Sequence, residues 1–220
     1  MPPADDRPTR ARRPRRATGD DRERAILTTF ERLLAERSLH EISIDDLARG
    51  AGISRPTFYF YFPSKDAVLL SLLDRMVTEA RADREAALAT FLDDPAAGWR
   101  AAIRAYYQSF RAHRAVTVAG ADARVTSPEV REVWSRIMEE IVDETAAAIM
   151  AERARGAAPD GLPARDLSVA LNWMNERVLH TTFAGHAPTI DEDRVVDTLL
   201  AIWLSAIYGG LTVAILFLVL

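Results

Sequence analysis

The sequence predicts an all-α protein with a helix-turn-helix near its N-terminus and a larger set of helices behind it. Apolar residues recur every three or four positions along most of the 220-residue chain, which is the period of an amphipathic helix. No stretch alternates apolar and polar residues for long enough to require a β-strand. Residues 44–61 show the spacing of two short helices that cross at a tight turn.

The charges of the chain are unevenly divided. The net charge is −4, yet residues 1–65 hold thirteen basic and ten acidic side chains, whereas residues 66–220 hold fifteen and twenty-two. A basic N-terminal part on an acidic remainder indicates that the first part meets a polyanion such as DNA. The chain contains no cysteine, which excludes disulfides, thiolate catalysis and cysteine-ligated metals. This composition fits a reducing compartment, and we expect a cytoplasmic protein.

Residues 1–19 are predicted to form a disordered basic arm. They include four prolines and almost no apolar side chain, so they cannot build a core. We expect the arm to contact DNA, although a solubilising tail has the same composition. The arginines that would make this contact are Arg10, Arg12, Arg13, Arg15 and Arg16.

The helices that follow are marked by their ends. A first helix is predicted from Asp20, because acidic residues favour a helix N-terminus and apolar residues follow at helical spacing. Ser43 and Asp46 form a predicted capping box. Residues 63–66 start a helix that we expect to reach about Leu92. Further helices are predicted near 97–113, 115–121, 128–154, 164–184 and 191–208. Their boundaries are indicated by Pro95, Pro128, residues 159–161 and Pro188.

Within residues 44–61, each position that a helix-turn-helix constrains is suitably filled. Ala48 is small where the two helices touch, and Gly52 lies where the turn needs a positive φ. An αα-hairpin without a role in DNA binding would pack in the same way, and the basic arm favours the DNA-binding interpretation. The apolar contacts are predicted at Leu47, Ala51, Ile53, Phe58 and Tyr61.

The outer face of the second helix would read DNA. Arginine can bind the guanine edge, and the threonine methyl can contact thymine, whereas tyrosine and lysine can donate to phosphates and so fix the register. Lys65 could equally be a solvated lysine at a helix start. Helix N-termini offer further N–H groups to phosphate. The predicted contacts are Ser43, Ser54, Arg55, Pro56, Thr57, Tyr59, Tyr61 and Lys65.

Residues 53–70 closely resemble the signature of TetR-family transcriptional repressors, in which an aromatic-rich recognition helix precedes a helix start that contains lysine. Residues 20–23, 42–48, 171–177 and 202–209 also resemble members of this family, so the resemblance covers about residues 20–209. It implies a DNA-binding domain at 20–66 and a ligand-binding and dimerisation domain at 67–209. It also implies a homodimer through the helices near 164–184 and 191–208, bound to double-stranded operator DNA until a hydrophobic small molecule releases it.

The C-terminal part contains aromatic and apolar stripes at helical spacing. On spacing alone, core packing is the simpler explanation. The resemblance points instead to a ligand tunnel, because the same positions match the family's tunnel, and an apolar pocket with a few amides suits a hydrophobic ligand. The predicted lining is Trp99, Tyr106, Phe110, Trp134, Met138, Ile141, Thr145, Asn172, Asn175, His180 and Trp203.

Three of the positions in this region depart from the resemblance. We expect aromatic residues where Glu144 and His180 stand, and tryptophan where Ile141 stands. A carboxylate buried beside an apolar tunnel would be costly unless it were paired or protonated, and Glu144 could simply face water. The ligand preference of the family therefore cannot be transferred to this chain.

The last residues form an apolar tail. No residue after Asp197 is charged, and the 22 residues from 199 to 220 reach the length of a membrane span. Gly209 and Gly210 would stop the last helix, which leaves 210–220 too short to span. We expect a tail packed against protein and no membrane contact; a membrane-tethered regulator is the alternative.

Enzyme signatures are missing from the sequence. The four histidines show no metal-ligand spacing, and no P-loop or Gly-x-Ser-x-Gly elbow occurs. We therefore predict a non-enzyme without cofactor, metal or catalytic residues. The alternative to a regulator is a ligand-binding or protein-partner module that uses the helix-turn-helix as a scaffold.

Overall fold

The computed structural model describes residues 18–88 and 94–209, and these residues contain helices and connecting turns but no strand. This confirms the predicted all-α fold. A 3-10 turn, Leu39–Glu41, follows the first helix. The helices are α1 Gly19–Glu36, α2 Ile44–Gly50, α3 Arg55–Tyr61, α4 Lys65–Leu88, α5 Pro95–Ala112, α6 Arg114–Thr126, α7 Pro128–Ala154, α8 Ala164–Ala184 and α9 Val195–Tyr208.

We call α1–α3 the head and α5–α9 the body. The head folds around Ile26, Phe30, Leu47 and Phe58, which are all fully buried. The start of α2 is set by residues close in sequence. The Ser43 hydroxyl accepts a hydrogen bond from the backbone N–H of Asp46, and the Asp46 carboxylate accepts one from the backbone N–H of Ser43. This reciprocal pair is the predicted capping box.

The turn between α2 and α3 depends on Gly52, which has a φ of +68°. Glycine adopts this left-handed conformation without the steric cost that a Cβ brings. Ala48 is buried beside the turn, as the helix-turn-helix pattern predicts. The two short helices therefore cross closely and present α3 on the outside of the head.

Gly50 allows α2 to approach α1. A Cβ built at Gly50 would lie 2.4 Å from Cγ2 of Thr29, a buried residue of α1. The close approach thus depends on the missing side chain at position 50.

Lys65 joins the head to the start of α4. Its ammonium donates to the backbone carbonyls of Leu39 and Ile42 at 2.7 and 3.0 Å, and its side chain is half-buried. The solvated lysine considered from the sequence is therefore not what the structure shows. A phosphate contact, which would have to use the third N–H of the ammonium, remains a prediction.

The body is built on α4. Helix α4 packs along α5 and also contacts α1, α6 and α7, while α7 packs along α8 and α5 against α9. Leu69 and Leu73 are fully buried in the first half of α4, and Met76 and Ala80 are buried farther along the same helix. One continuous helix thus contributes to the cores of both parts.

A chain of hydrogen bonds fastens the end of α9 to the body. The Trp99 indole N–H donates to the Tyr208 hydroxyl at 2.8 Å, and that hydroxyl donates to Glu152 at 2.6 Å. Arg155 donates twice to the same carboxylate. Hydrogen bonds from Arg155 lower the pKa of Glu152, whereas desolvation raises the pKa of Tyr208. Buried Glu152 is therefore a paired carboxylate that positions helices.

The predicted helix ends are close to the observed ones, with two exceptions. Helix α6 continues to Thr126 rather than ending near 121, and α9 begins at Val195 because 191–194 form a turn. The predicted disordered arm ends two residues too late, because Thr18 caps α1 and Gly19 is its first residue. Residues 1–17 of the arm, the expected continuation of α4 to Leu92 and the tail 210–220 lie outside the described residues. Among the helices that the structure describes, none is both long and apolar enough to cross a membrane.

Gly50→Ala should lower the free energy of unfolding by about 1–3 kcal/mol, because the new methyl group overlaps the Thr29 side chain. Urea denaturation followed by circular dichroism measures this change. In a Thr29→Ser background the nearest atom, Cγ2, is gone, and alanine favours helix more than glycine does. Gly50→Ala should then be neutral or stabilising, and an equal loss in both backgrounds would contradict the steric explanation.

Candidate DNA-reading surface and ligand cavity

Helix α3 presents one face to the core and the other to solvent. Phe58 is fully buried, whereas Arg55, Pro56, Tyr59 and Phe60 are exposed. The Ser54 hydroxyl caps the helix by accepting from the backbone N–H of Thr57 at 3.3 Å. Three of the predicted contacts, Arg55, Pro56 and Tyr59, therefore lie on the solvent side of α3. Phe60, which was not among the predicted contacts, is exposed on the same helix.

Arg55 is held in place by two neighbours. Its guanidinium donates to the Asp45 carboxylate of α2 at 3.0 Å and lies 5.9 Å from the centre of the Tyr59 ring. Hydrogen bonding with Tyr59 and the charge of Asp45 raise the pKa of Arg55. All three side chains are solvent-exposed, so Arg55 is oriented but can exchange Asp45 for a DNA acceptor.

Other predicted DNA contacts are less accessible than Arg55 and Tyr59. Thr57 is half-buried, and its hydroxyl lies 2.8 Å from that of Ser54. Tyr61 is also half-buried. At the start of α2, the capping box already engages the N–H groups of Ser43 and Asp46, so a phosphate there would have to use other amides of the first turn.

The body contains a narrow cavity in two compartments. Their volumes are only about 50 and 20 Å³, so a small-molecule ligand would have to widen both compartments. Tyr106 and Ile141 line both compartments and therefore lie where the two meet. The first compartment is further lined by the predicted residues Trp99, Thr145, Asn172, Asn175 and Trp203, and the second by Phe110, Trp134 and Met138.

The polar groups of the first compartment are oriented by their neighbours. The Asn172 amide N–H group donates to the Ser168 carbonyl at 2.9 Å and to Thr145 at 3.2 Å. The Asn175 carbonyl oxygen accepts from the Trp203 indole at 3.0 Å. These bonds fix the direction of both amides in an otherwise apolar wall.

The second compartment adds residues that sequence reasoning missed. Met76, Val77 and Ala80 of α4 form part of its wall. Their apolar spacing was visible, but nothing in the sequence distinguishes a cavity wall from ordinary core packing. Their position means that a molecule in this compartment would touch the helix that leads to the head.

His180 is the one predicted lining residue that lines neither compartment. It is buried and turned toward α6, where its Nε2 lies 3.5 Å from Asp122. Glu176, one turn earlier, lies 3.3 Å from Arg124 of α6, and burial raises the pKa of Glu176. The structure therefore places His180 between α8 and α6, and a contact between His180 and a ligand stays a prediction. Glu144 is exposed at the rim of the first compartment.

The outer face of α8 and α9 is unusually apolar. Trp173 and Ile202 are 40% and 43% exposed, and Val169 lies one turn before Trp173. Arg124 lies 5.4 Å from the ring centres of both Trp173 and the cavity residue Trp134. Exposed apolar area of this kind often marks a protein interface.

In the described residues, no group of three or more His, Asp or Glu side chains is placed to hold a metal ion.

Comparison with known families matches both parts of the chain. The family described as the C-terminal domain of the transcriptional regulator EthR matches residues 99–209. The family described as bacterial regulatory proteins, tetR family, matches residues 26–72. The second match contains the helix-turn-helix, and the first contains α6–α9 and all but the first four residues of α5.

Individual relatives agree over almost the full length. The chain is 56% identical over 205 residues to the HTH-type transcriptional regulator EthR of Mycobacterium tuberculosis, covering 91% of this chain and 93% of that protein. It is 50% identical over 207 residues to EthR of Mycolicibacterium smegmatis, covering 94% and 95%. A TetR-family regulator from Syntrophomonas wolfei has the same fold, with a TM-score of 0.73 at 16% identity, covering 89% and 99%.

These relatives confirm the family resemblance predicted from the sequence. They are transcriptional regulators and not enzymes, which confirms the prediction that this chain is not an enzyme. The chain therefore belongs to the TetR family of helix-turn-helix transcriptional regulators and, within it, to the EthR type.

Proposed function

We propose that this chain is a one-component repressor that a hydrophobic small molecule releases from its operator. Two copies pair through the apolar face of α8 and α9 and place their α3 helices in successive major grooves. The arginine arm adds phosphate contacts. The head would correspond to residues 20–66 and the ligand and dimer part to residues 67–209.

The observation that carries this proposal is the course of α4. Leu69 is buried in the first half of this helix, and Met76 and Ala80 form part of the wall of the second compartment. A ligand binds more tightly to an arrangement of α4 that leaves room for it than to one that narrows the cavity. It therefore favours the first arrangement. It can shift DNA binding only by this difference in affinity.

The lining indicates the ligand class. Aromatic and aliphatic side chains form most of both compartments, and the two oriented amides provide a hydrogen-bonding pair at one side. An elongated hydrophobic molecule with one polar group satisfies both features. Exposed Glu144 at the mouth replaces an expected aromatic residue, so the chemistry at the entrance differs from the family pattern.

Arg55→Ala should reduce the preference for specific over scrambled DNA by about 5- to 150-fold, because a bidentate arginine–guanine contact contributes about 1–3 kcal/mol of discrimination. Fluorescence anisotropy would use a duplex that the wild-type protein selects from a random pool, with a scrambled duplex beside it. Arg136→Ala on the exposed face of α7 is the matched control. Equal weakening on both duplexes would assign Arg55 to phosphate contact instead.

Ala148→Phe should weaken specific DNA binding by about 5- to 150-fold without any added compound, as expected for an allosteric coupling of about 1–3 kcal/mol. Ala148 is half-buried and lines the first compartment, so the phenyl group occupies part of the ligand volume. Anisotropy measures affinity, and thermal melting verifies folding. Ala147→Phe places the same group on the exposed side of α7 and should change nothing. Unchanged binding by folded Ala148→Phe protein would separate the cavity from DNA release.

Deletion of residues 1–16 should make the plot of log affinity against log salt concentration shallower. On B-DNA the slope falls by about 0.9 for every phosphate that the arm no longer neutralises. The preference for specific over scrambled duplex should persist, because α3 is retained. A slope identical to that of the full chain would show that the arm binds no phosphate.

A further inference from the structure

Phe60 is the most conspicuous apolar side chain on the surface of the head. It is 83% exposed, which exceeds the exposure of the other large hydrophobic residues that the structure describes as exposed. It belongs to α3, the helix whose outer face is the proposed reading surface. A phenyl group left in water here contributes nothing to the core of the head.

The position of Phe60 on α3 directs it away from the body of the protein. It lies two residues after fully buried Phe58, which is roughly 200° around an α-helix. Pro56, one turn earlier on the same line, is exposed as well. The pair therefore marks the line of α3 opposite the core, and this line would face the major groove if α3 docks there as proposed.

The ring of Phe60 is supported on one side. Its centre lies 5.2 Å from that of Tyr61, and the two rings are inclined at 81°. Edge-to-face aromatic contacts of this kind favour one arrangement of the rings. Because Tyr61 is half-buried, it provides a fixed base for Phe60. The high exposure of Phe60 shows that the rest of its ring remains accessible.

The chemistry of the side chain limits what it can recognise. A phenyl group has no hydrogen-bond donor or acceptor for phosphates or for polar base atoms. The apolar feature of the major groove is the C5 methyl group of thymine. Thr57, the residue predicted to contact such a methyl, is half-buried and hydrogen-bonded to Ser54.

We propose that Phe60 reads thymine methyl groups in each half-site of the operator and is a specificity-determining residue of this regulator. The inference rests on the proposed function, since it assumes that α3 enters the major groove. It adds an apolar reader beside the polar reader Arg55. Burying one methyl group is worth about a fourfold change in affinity.

The test replaces thymine by deoxyuracil, which removes the methyl group and keeps every base-pairing atom. The wild-type chain first selects a duplex from a random pool, and each thymine of that duplex is then substituted singly. Anisotropy should show about a fourfold loss of wild-type affinity at one or more positions in each half-site. Phe60→Ala should bind the thymine duplex more weakly and lose the distinction between thymine and uracil at those positions.

Controls separate the possible outcomes. Leu162→Ala removes another exposed apolar side chain, from the loop between α7 and α8, and should behave like wild type. The salt slope of Phe60→Ala should match that of wild type, because no charge is removed.

The proposal would be overturned if folded Phe60→Ala still distinguished thymine from uracil, or if substitution by uracil had no effect on wild-type binding. Either result would leave the proposed regulator function intact. A Phe60→Ala chain with unchanged DNA affinity and altered oligomeric state would overturn it in favour of a protein contact. A wild-type chain that selects no sequence would overturn the proposed function itself.

Discussion

The packing of α4 is the constraint on which both ends of this protein depend. Lys65 at its first turn holds the carbonyls of Leu39 and Ile42, and so fixes the approach to α2. Farther along, Met76 and Ala80 close one side of the cavity. Protein interiors are packed too densely for one end of such a helix to shift without its neighbours. We therefore expect cavity occupancy and head orientation to be linked, with α4 as the mechanical connection.

The proposed reading surface combines an arginine oriented by Asp45 with an exposed phenyl group. An acidic residue beside a reader lowers the affinity for phosphate everywhere along DNA, because it offsets part of the positive charge. The apolar ring adds nothing to non-specific electrostatic binding. Both features favour discrimination between sequences over overall affinity. The arginine arm would supply the non-specific attraction that the compact head lacks.

Local signals predicted the parts of the structure that local physics determines. The capping box of Ser43 and the turn at Gly52 could be read directly, because each depends on residues a few positions apart. Lys65 and His180 could not, since their partners come from distant segments whose approach only the tertiary fold defines. Only the family resemblance points to the cavity residues, because an aromatic stripe that lines a cavity has the same spacing as one that fills a core. The sequence does not single out Phe60, because an aromatic residue in a short helix usually belongs to the core.

The most direct test of a link between the cavity and the heads is the distance between the two heads of the proposed dimer. The chain has no cysteine, so Glu36→Cys at the exposed end of α1 would carry one spin label per copy. Pulsed electron paramagnetic resonance would compare DNA-bound protein with free protein whose cavity is open or filled by Ala148→Phe. Filling the cavity should shift the distance distribution away from the DNA-bound value. Identical distributions for open and filled cavities would contradict this link.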